Sequence, residues 1–211
     1  MGAALRRQED EFTPRQQQVL TAALELLVEQ GERLTMTSVA RRASCSKETL
    51  YKWFGDRDGL LTATVQFQAS KVRMPHVDRR RIDAAVLRAS IEQFARDLLT
   101  TISGKVSVTL NRLAIGHAGA DDSPLGDIVL ENGPLAIRKR LKPVLDAGRE
   151  SRLLRFDSSE EAYRSFFGLV VRDVQIRLLL GEAIEMGEVE VARDAARATE
   201  QFLRIFGVGQ G

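Results

Sequence analysis

The residue types able to do chemistry in this chain are few, and their spacing excludes most chemistries. Ser44-Cys45-Ser46-Lys47 contains an S-x-x-K string, the arrangement in which a lysine activates a serine nucleophile. The partner motifs of that chemistry are missing, and a four-letter match arises readily by chance. His76 and His117 have no Asp, Ser or Cys partner at a spacing that builds a triad or a metal site. No catalytic residue, metal or cofactor is therefore expected. Gly207-Val208-Gly209-Gln210-Gly211 is glycine-rich, but no strand precedes it and no helix follows. It cannot cradle a phosphate and reads as a frayed tail.

Hydrogen-bond donors cluster elsewhere. Lys47, Glu48, Thr49 and Lys52 fall within one short segment whose side chains can enter a DNA major groove. Lys47 can donate to guanine O6 or N7, Glu48 can accept from cytosine N4, and Thr49 can contact a thymine methyl. Tyr51, Lys52 and Trp53 offer hydroxyl, ammonium and indole donors for phosphates, which fix register rather than sequence. Arg57 follows in the first turn of the next helix, where free backbone N–H groups also favour a phosphate. From Arg33 to Arg57 six basic residues face two acidic ones, although the whole chain carries only +2. The distribution of charge therefore says more than its total.

Positioning these groups requires helices, and the apolar spacing supplies them. Val19, Ala22, Ala23, Leu26 and Leu27 form an amphipathic stripe, with Thr13 as N-cap, Pro14 at the first helical position and Gly31 as the stop. A short helix runs from a Thr35 cap to Ala43. A second starts from Ser46, buries Leu50 and Phe54, and stops at Gly55. Val39, Ala40, Ala43, Cys45 and Leu50 share one small apolar seam, so the pair meets steeply as a helix-turn-helix. Asp56 caps a longer helix through Leu60, Leu61, Thr64, Val65 and Phe67 that ends before Pro75. Further helices are expected at about 79–102, 104–118, 124–148, 158–181 and 188–206, with Gly133-Pro134 interrupting the third of these. The expected fold is all-α: a three-helix head and a larger C-terminal bundle, about nine helices in all. Residues 1–12 would be a flexible arm and 13–58 the helix-turn-helix domain. The connecting helix would run over 56–72, with the rest of the bundle at 73–207.

The joint spacing of Gly31, Thr35, Val39-Ala40, Ala43, Ser46, Thr49-Leu50-Tyr51, Phe54, Arg57 and Leu60 resembles the tetracycline-repressor (TetR) family. Gly133-Pro134 with Arg138 and the stretch Leu153–Asp157 resembles its AefR-like members. The resemblance implies a homodimeric regulator of double-stranded DNA with an all-helical domain for a small-molecule effector. Carried over by position, the DNA contacts are Thr35, Thr37, Lys47, Glu48, Thr49, Tyr51, Lys52, Trp53 and Arg57. Four positions depart from the family pattern. Ser44 stands at the usual turn glycine, where a left-handed non-glycine costs roughly 1–2 kcal/mol. Glu48 replaces a small residue, Trp53 a Tyr or His, and Arg57 a Lys.

The resemblance also implies repression of a pseudo-palindromic operator, relieved by the effector. An activator or architectural DNA-binding protein without an effector is the alternative. A ligand pocket is expected inside the bundle, with Phe67, Phe94, Leu98, Asn111, Leu113, His117, Phe166 and Asp173 as wall candidates. The stripes of the last two helices suggest a four-helix dimer interface containing Phe166, Val170, Val174, Ala195, Thr199 and Phe202. Arg172 and Asp173 could equally form an ion pair across it. The single cysteine excludes an internal disulfide and, with no apolar run of about 20 residues and no signal-peptide core, suits a cytoplasmic protein.

Overall fold

Local capping chemistry sets the starts of the first four helices. The computed structural model describes residues 12–31, 34–73, 78, 82–118 and 124–209, and the statements below concern those residues. Thr13 opens α1 (Pro14–Gln30) with a capping box, its side chain and that of Gln16 each accepting from the other's backbone N–H. Thr35 and Ser38 do the same for α2 (Met36–Arg42). Ser46 caps α3 (Lys47–Phe54), and Asp56 caps α4 (Arg57–Ala69). The bundle follows as α5 (Ala84–Ser103), α6 (Lys105–Gly116), α7 (Leu125–Asn132), α8 (Pro134–Glu150), α9 (Ser159–Val171), α10 (Val174–Leu179) and α11 (Glu188–Phe206).

Eleven helices stand where about nine were expected. Gly133 divides α7 from α8, as its Gly-Pro pair indicated. The second division, between α9 and α10, falls at Arg172, which holds φ +46° without being glycine. No local signal marks that break. The C-terminal segment also differs from expectation. Gly207 pairs with Leu154 in an isolated antiparallel bridge, Arg155 N–H donates to the Phe206 carbonyl and Val208 N–H to that of Leu153. Residues 207 and 208 are therefore pinned rather than frayed, because distant backbone completes their hydrogen bonds. The expected arm before residue 12, the stop at Pro75, His76 and the joint at 119–123 lie outside the described residues.

Two apolar clusters form the interior. One gathers α1–α4 around Val19, Leu20, Val39, Leu50 and Leu60, and includes Leu110 and Ala114 of α6 and Leu125 and Val129 of α7. The head is thus seated on α6 and α7 as well as on its connecting helix. The other fills the bundle, where Phe166 meets Phe94 at 6.0 Å and Phe202 edge-on at 5.7 Å. No described helix is long and apolar enough to cross a membrane.

Candidate functional site

The turn between α2 and α3 aims the exposed face of α3. Val39, Ala40 and Leu50 are buried where the two helices meet, and Ala43 and Cys45 pack against them. Burial pushes the Cys45 thiol above its ordinary value, and its side chain packs against this seam. Ser44 takes the left-handed conformation, φ +49°, that a glycine would fill without strain. Arg15 of α1 clamps this turn. Its guanidinium donates to the carbonyls of Ala43 at 2.8 Å and Ser44 at 2.9 Å. Arg15 sits 28 residues from the turn it fixes, so no sequence window contained the pair.

Opposite buried Leu50, Lys47, Glu48, Tyr51 and Lys52 share one solvent-facing side of α3 at i, i+1, i+4 and i+5. Lys47 and Lys52 have no ion-pair partner among the described residues, nor has Arg41 on α2. Arg42 faces backwards, paired with Glu29 at 2.5 Å and Glu25 at 3.5 Å on α1. Its hydrogen bond holds the Glu29 carboxyl below the usual range. The acidic face of α1 thus neutralises one of the clustered cations and leaves those on α3 outward.

The other candidate contacts are more heavily committed. Glu48 folds onto the start of its own helix. A backbone N–H and the Ser46 hydroxyl lower its carboxyl from the ordinary value, and the helix terminus favours its charge. Thr35 is exposed, but its hydroxyl accepts from Ser38 N–H at 3.0 Å; Thr37 is exposed beside it. Thr49 is half-buried with its hydroxyl 3.0 Å from that of Ser46. Trp53 is half-buried too, edge-on to Phe54 at 6.1 Å. Arg57 donates from Nε to the Leu34 carbonyl at 3.2 Å, tying the start of α4 to the loop before α2.

Below the head lies a cavity of about 70 Å³. Val65, Leu110 and Val129 line it from the head-side cluster, and Leu98, Ile137 and Tyr163 from the bundle, so it lies where the two interiors meet. Of the expected wall residues, Leu98 and Asn111 are present. The others are elsewhere for identifiable reasons. Phe67 turns outward against Phe12, and Phe94 and Phe166 are spent on each other in the bundle core. Leu113 packs beside Gly31, the His117 ring nitrogen Nδ1 lies 2.8 Å from the Leu113 carbonyl, and exposed Asp173 pairs with Arg177. Gln68, Thr101, Ser107, Tyr163 and Gln175 complete the polar wall. Buried Gln68 on α4 is a departure from its apolar stripe that could have flagged that face.

α4 is fastened at its far end as well. Arg140 of α8 donates to the Ala69 carbonyl, and Arg73 forms a two-pronged pair with Asp97 of α5 at 2.9 and 3.0 Å. The helix therefore links the head to the cavity wall and then to the bundle.

The six expected dimer residues require correction as a surface. Phe166, Val170, Val174, Ala195, Thr199 and Phe202 all lie inside the protomer, none more than 7% exposed. Their periodicity reported burial against α5 and between α9 and α11, which leaves them little area for a second chain. Arg172 pairs within the chain, with Asp194 of α11 at 2.8 Å.

Comparison with known proteins agrees with this architecture. Residues 19–64 match the bacterial regulatory proteins of the tetR family, and residues 89–208 match the AefR-like transcriptional repressor C-terminal domain. Among solved structures, a TetR transcriptional regulator from Agrobacterium tumefaciens is 51% identical, with a TM-score of 0.80 over 94% of this chain and 97% of that one. The flavonoid-responsive regulator FrrA is 26% identical with a TM-score of 0.64, covering 92% and 97% of the two chains. A TetR-family regulator from Mesorhizobium loti shares the fold at 22% identity and a TM-score of 0.73, over 92% and 97%. Among curated proteins none matches.

Proposed function

The chain belongs to the TetR family of bacterial transcriptional regulators, and we propose that it is a homodimeric repressor, released from its operator by a small molecule. The observation that carries the DNA half is the outward face of α3. Lys47, Tyr51 and Lys52 lie opposite the buried seam, with neither lysine held in an ion pair among the described residues. In this reading Lys47 addresses a base edge, and Tyr51 and Lys52 hold phosphates. Thr35, Thr37, Thr49, Trp53 and Arg57 set the pose of these groups or touch the backbone of the duplex.

The effector half rests on where the cavity sits. Val65, Gln68 and Ala69 of α4 form part of its wall, and α4 begins at the reading head. A ligand that prefers one setting of α4 shifts the spacing of the two heads by its differential affinity for the two states. Coupling of this kind is typically about 1–3 kcal/mol, or roughly 5–150-fold in operator affinity. The flavonoid response of FrrA supports a small-molecule effector here by analogy.

For the dimer, the outer faces of α9 and α11 replace the buried stripes. Gly168 is exposed on α9, and a Cβ added there would meet nothing within 4 Å. Glycine inside a helix costs about 0.5–1 kcal/mol relative to alanine. The protomer gives no reason to keep it, and close approach of a second helix does.

The test is fluorescence anisotropy of labelled DNA from upstream of the coding sequence against a scrambled duplex, over a salt series. Preference of tens-fold or more, falling steeply with salt and reduced by Lys47→Ala and Tyr51→Ala, is the expected result. Equal, weak binding to both duplexes, repeated in a selection from genomic fragments, would overturn the reading.

A further inference from the structure

Three buried side-chain polar atoms lack a hydrogen-bond partner among the described residues: Gln68 Oε1, the Tyr163 hydroxyl and Thr199 Oγ1. The first two belong to one cavity wall. Gln68 and Tyr163 are only 7% and 6% exposed, so bulk solvent does not satisfy them. An unpaired buried polar group destabilises a fold, and an apolar residue of similar size would avoid the cost. Ser107 accepts from the Gln68 amide nitrogen at 3.2 Å, which leaves the carbonyl as the unpaired end. That oxygen can only accept, so its complement must donate. The Tyr163 hydroxyl can do either, and burial raises its phenol well above the ordinary value, keeping it protonated as a donor.

The rest of the wall defines the ligand further. No Asp, Glu, Lys, Arg or His lines the cavity, so an ion placed there would be desolvated with no charged side chain in contact; Arg138 reaches Tyr163 only from outside this wall, as a weaker influence than burial. Its lining is otherwise mostly apolar and includes two aromatic rings, Tyr163 and Phe167. The volume of about 70 Å³ holds roughly half a dozen water-sized groups at ~10–15 Å³ each, about one ring.

We propose that this cavity selects a small, neutral, single-ring aromatic molecule carrying a hydroxyl, which donates to Gln68 Oε1 and engages the Tyr163 hydroxyl. The assignment rests on reading the cavity as the effector site, and it names the class of effector.

The experiment titrates the full chain with phenol, with its apolar isostere toluene and with anionic benzoate. Calorimetry reads affinity, and an operator titration runs alongside. Phenol is expected to bind at least tenfold more tightly than either of the others. Gln68→Leu and Tyr163→Phe should each weaken phenol at least fivefold, and in Tyr163→Phe the melting temperature of the free protein should hold or rise, because the unpaired atom is gone and no hydrogen bond is lost with it. A purely structural role would lower the melting temperature instead. The proposal is overturned if toluene or benzoate matches phenol, if no compound binds to a protein that binds its operator, or if neither variant weakens phenol. Selective phenol binding that leaves operator affinity unchanged would uphold the ligand class and refute the effector role.

Discussion

Ser44→Gly tests the strain that the turn of the reading head carries. Ser44 is an L-residue at φ +49°, and its side chain makes no hydrogen bond among the described residues. The conformation is imposed from outside. Cys45 N–H donates to the Ala40 carbonyl at 2.9 Å, and Arg15 grips the Ala43 and Ser44 carbonyls. Holding a Cβ in this region costs roughly 1–2 kcal/mol, which glycine would recover. Glycine gives back about 0.5–1 kcal/mol through the greater freedom of its unfolded chain. The net expectation is a stabilisation of about 0.5–1 kcal/mol. With a urea m-value of about 2 kcal/mol/M, the unfolding midpoint should rise by roughly 0.25–0.5 M. Ser44→Ala keeps the Cβ and should leave the midpoint unmoved, and neither change should alter operator affinity. A lower midpoint for the glycine variant, or an equal rise for alanine, would refute the argument that the Cβ is the source of strain.

Four other outcomes follow from the same geometry. Lys52→Ala should weaken binding to cognate and scrambled DNA alike and reduce the slope of log K against log salt by about 0.9; anisotropy over a salt series reads both. Lys47→Ala should instead cost about 1–3 kcal/mol on cognate DNA and narrow its preference over the scrambled duplex. Gly168→Arg should lower the dimer fraction in sedimentation while leaving the helicity of the protomer intact, since its Cβ meets nothing within 4 Å; a persistent dimer would move the interface elsewhere. Asp97 reports on acid stability. Burial raises its pKa, but the Arg73 side chain, Gln93 and the Arg73 backbone N–H together outweigh that and hold the carboxyl below its ordinary value. Its stabilising contribution is therefore full above about pH 4, the unfolded value, and lost as pH falls through the lower folded one. The gap in urea midpoint between the wild type and Asp97→Asn should be open at pH 6 and narrow as pH falls below about 4; a gap that stays constant into acid would count against the linkage.

The reading head was legible because its determinants are local. Thr13 with Gln16, Thr35 with Ser38, Ser46 with Thr49 and Asp56 with Gly59 each satisfy a helix start within three residues, a distance that any sequence window spans. The seam of Val39, Ala40 and Leu50 was equally readable, and it determined which side of α3 faces outward. Periodicity further along the chain carried half the information needed. It showed that Phe166, Val170, Ala195 and Phe202 are buried, but not that α5 and the protomer's own helices bury them. Nor could it find the cavity, whose polar wall joins Gln68, Ser107 and Tyr163 from three helices, or the grip of Arg15 on the turn. Those groupings depend on which helix lies against which. That choice follows from burying all the apolar faces at once, so only the assembled tertiary structure decides it.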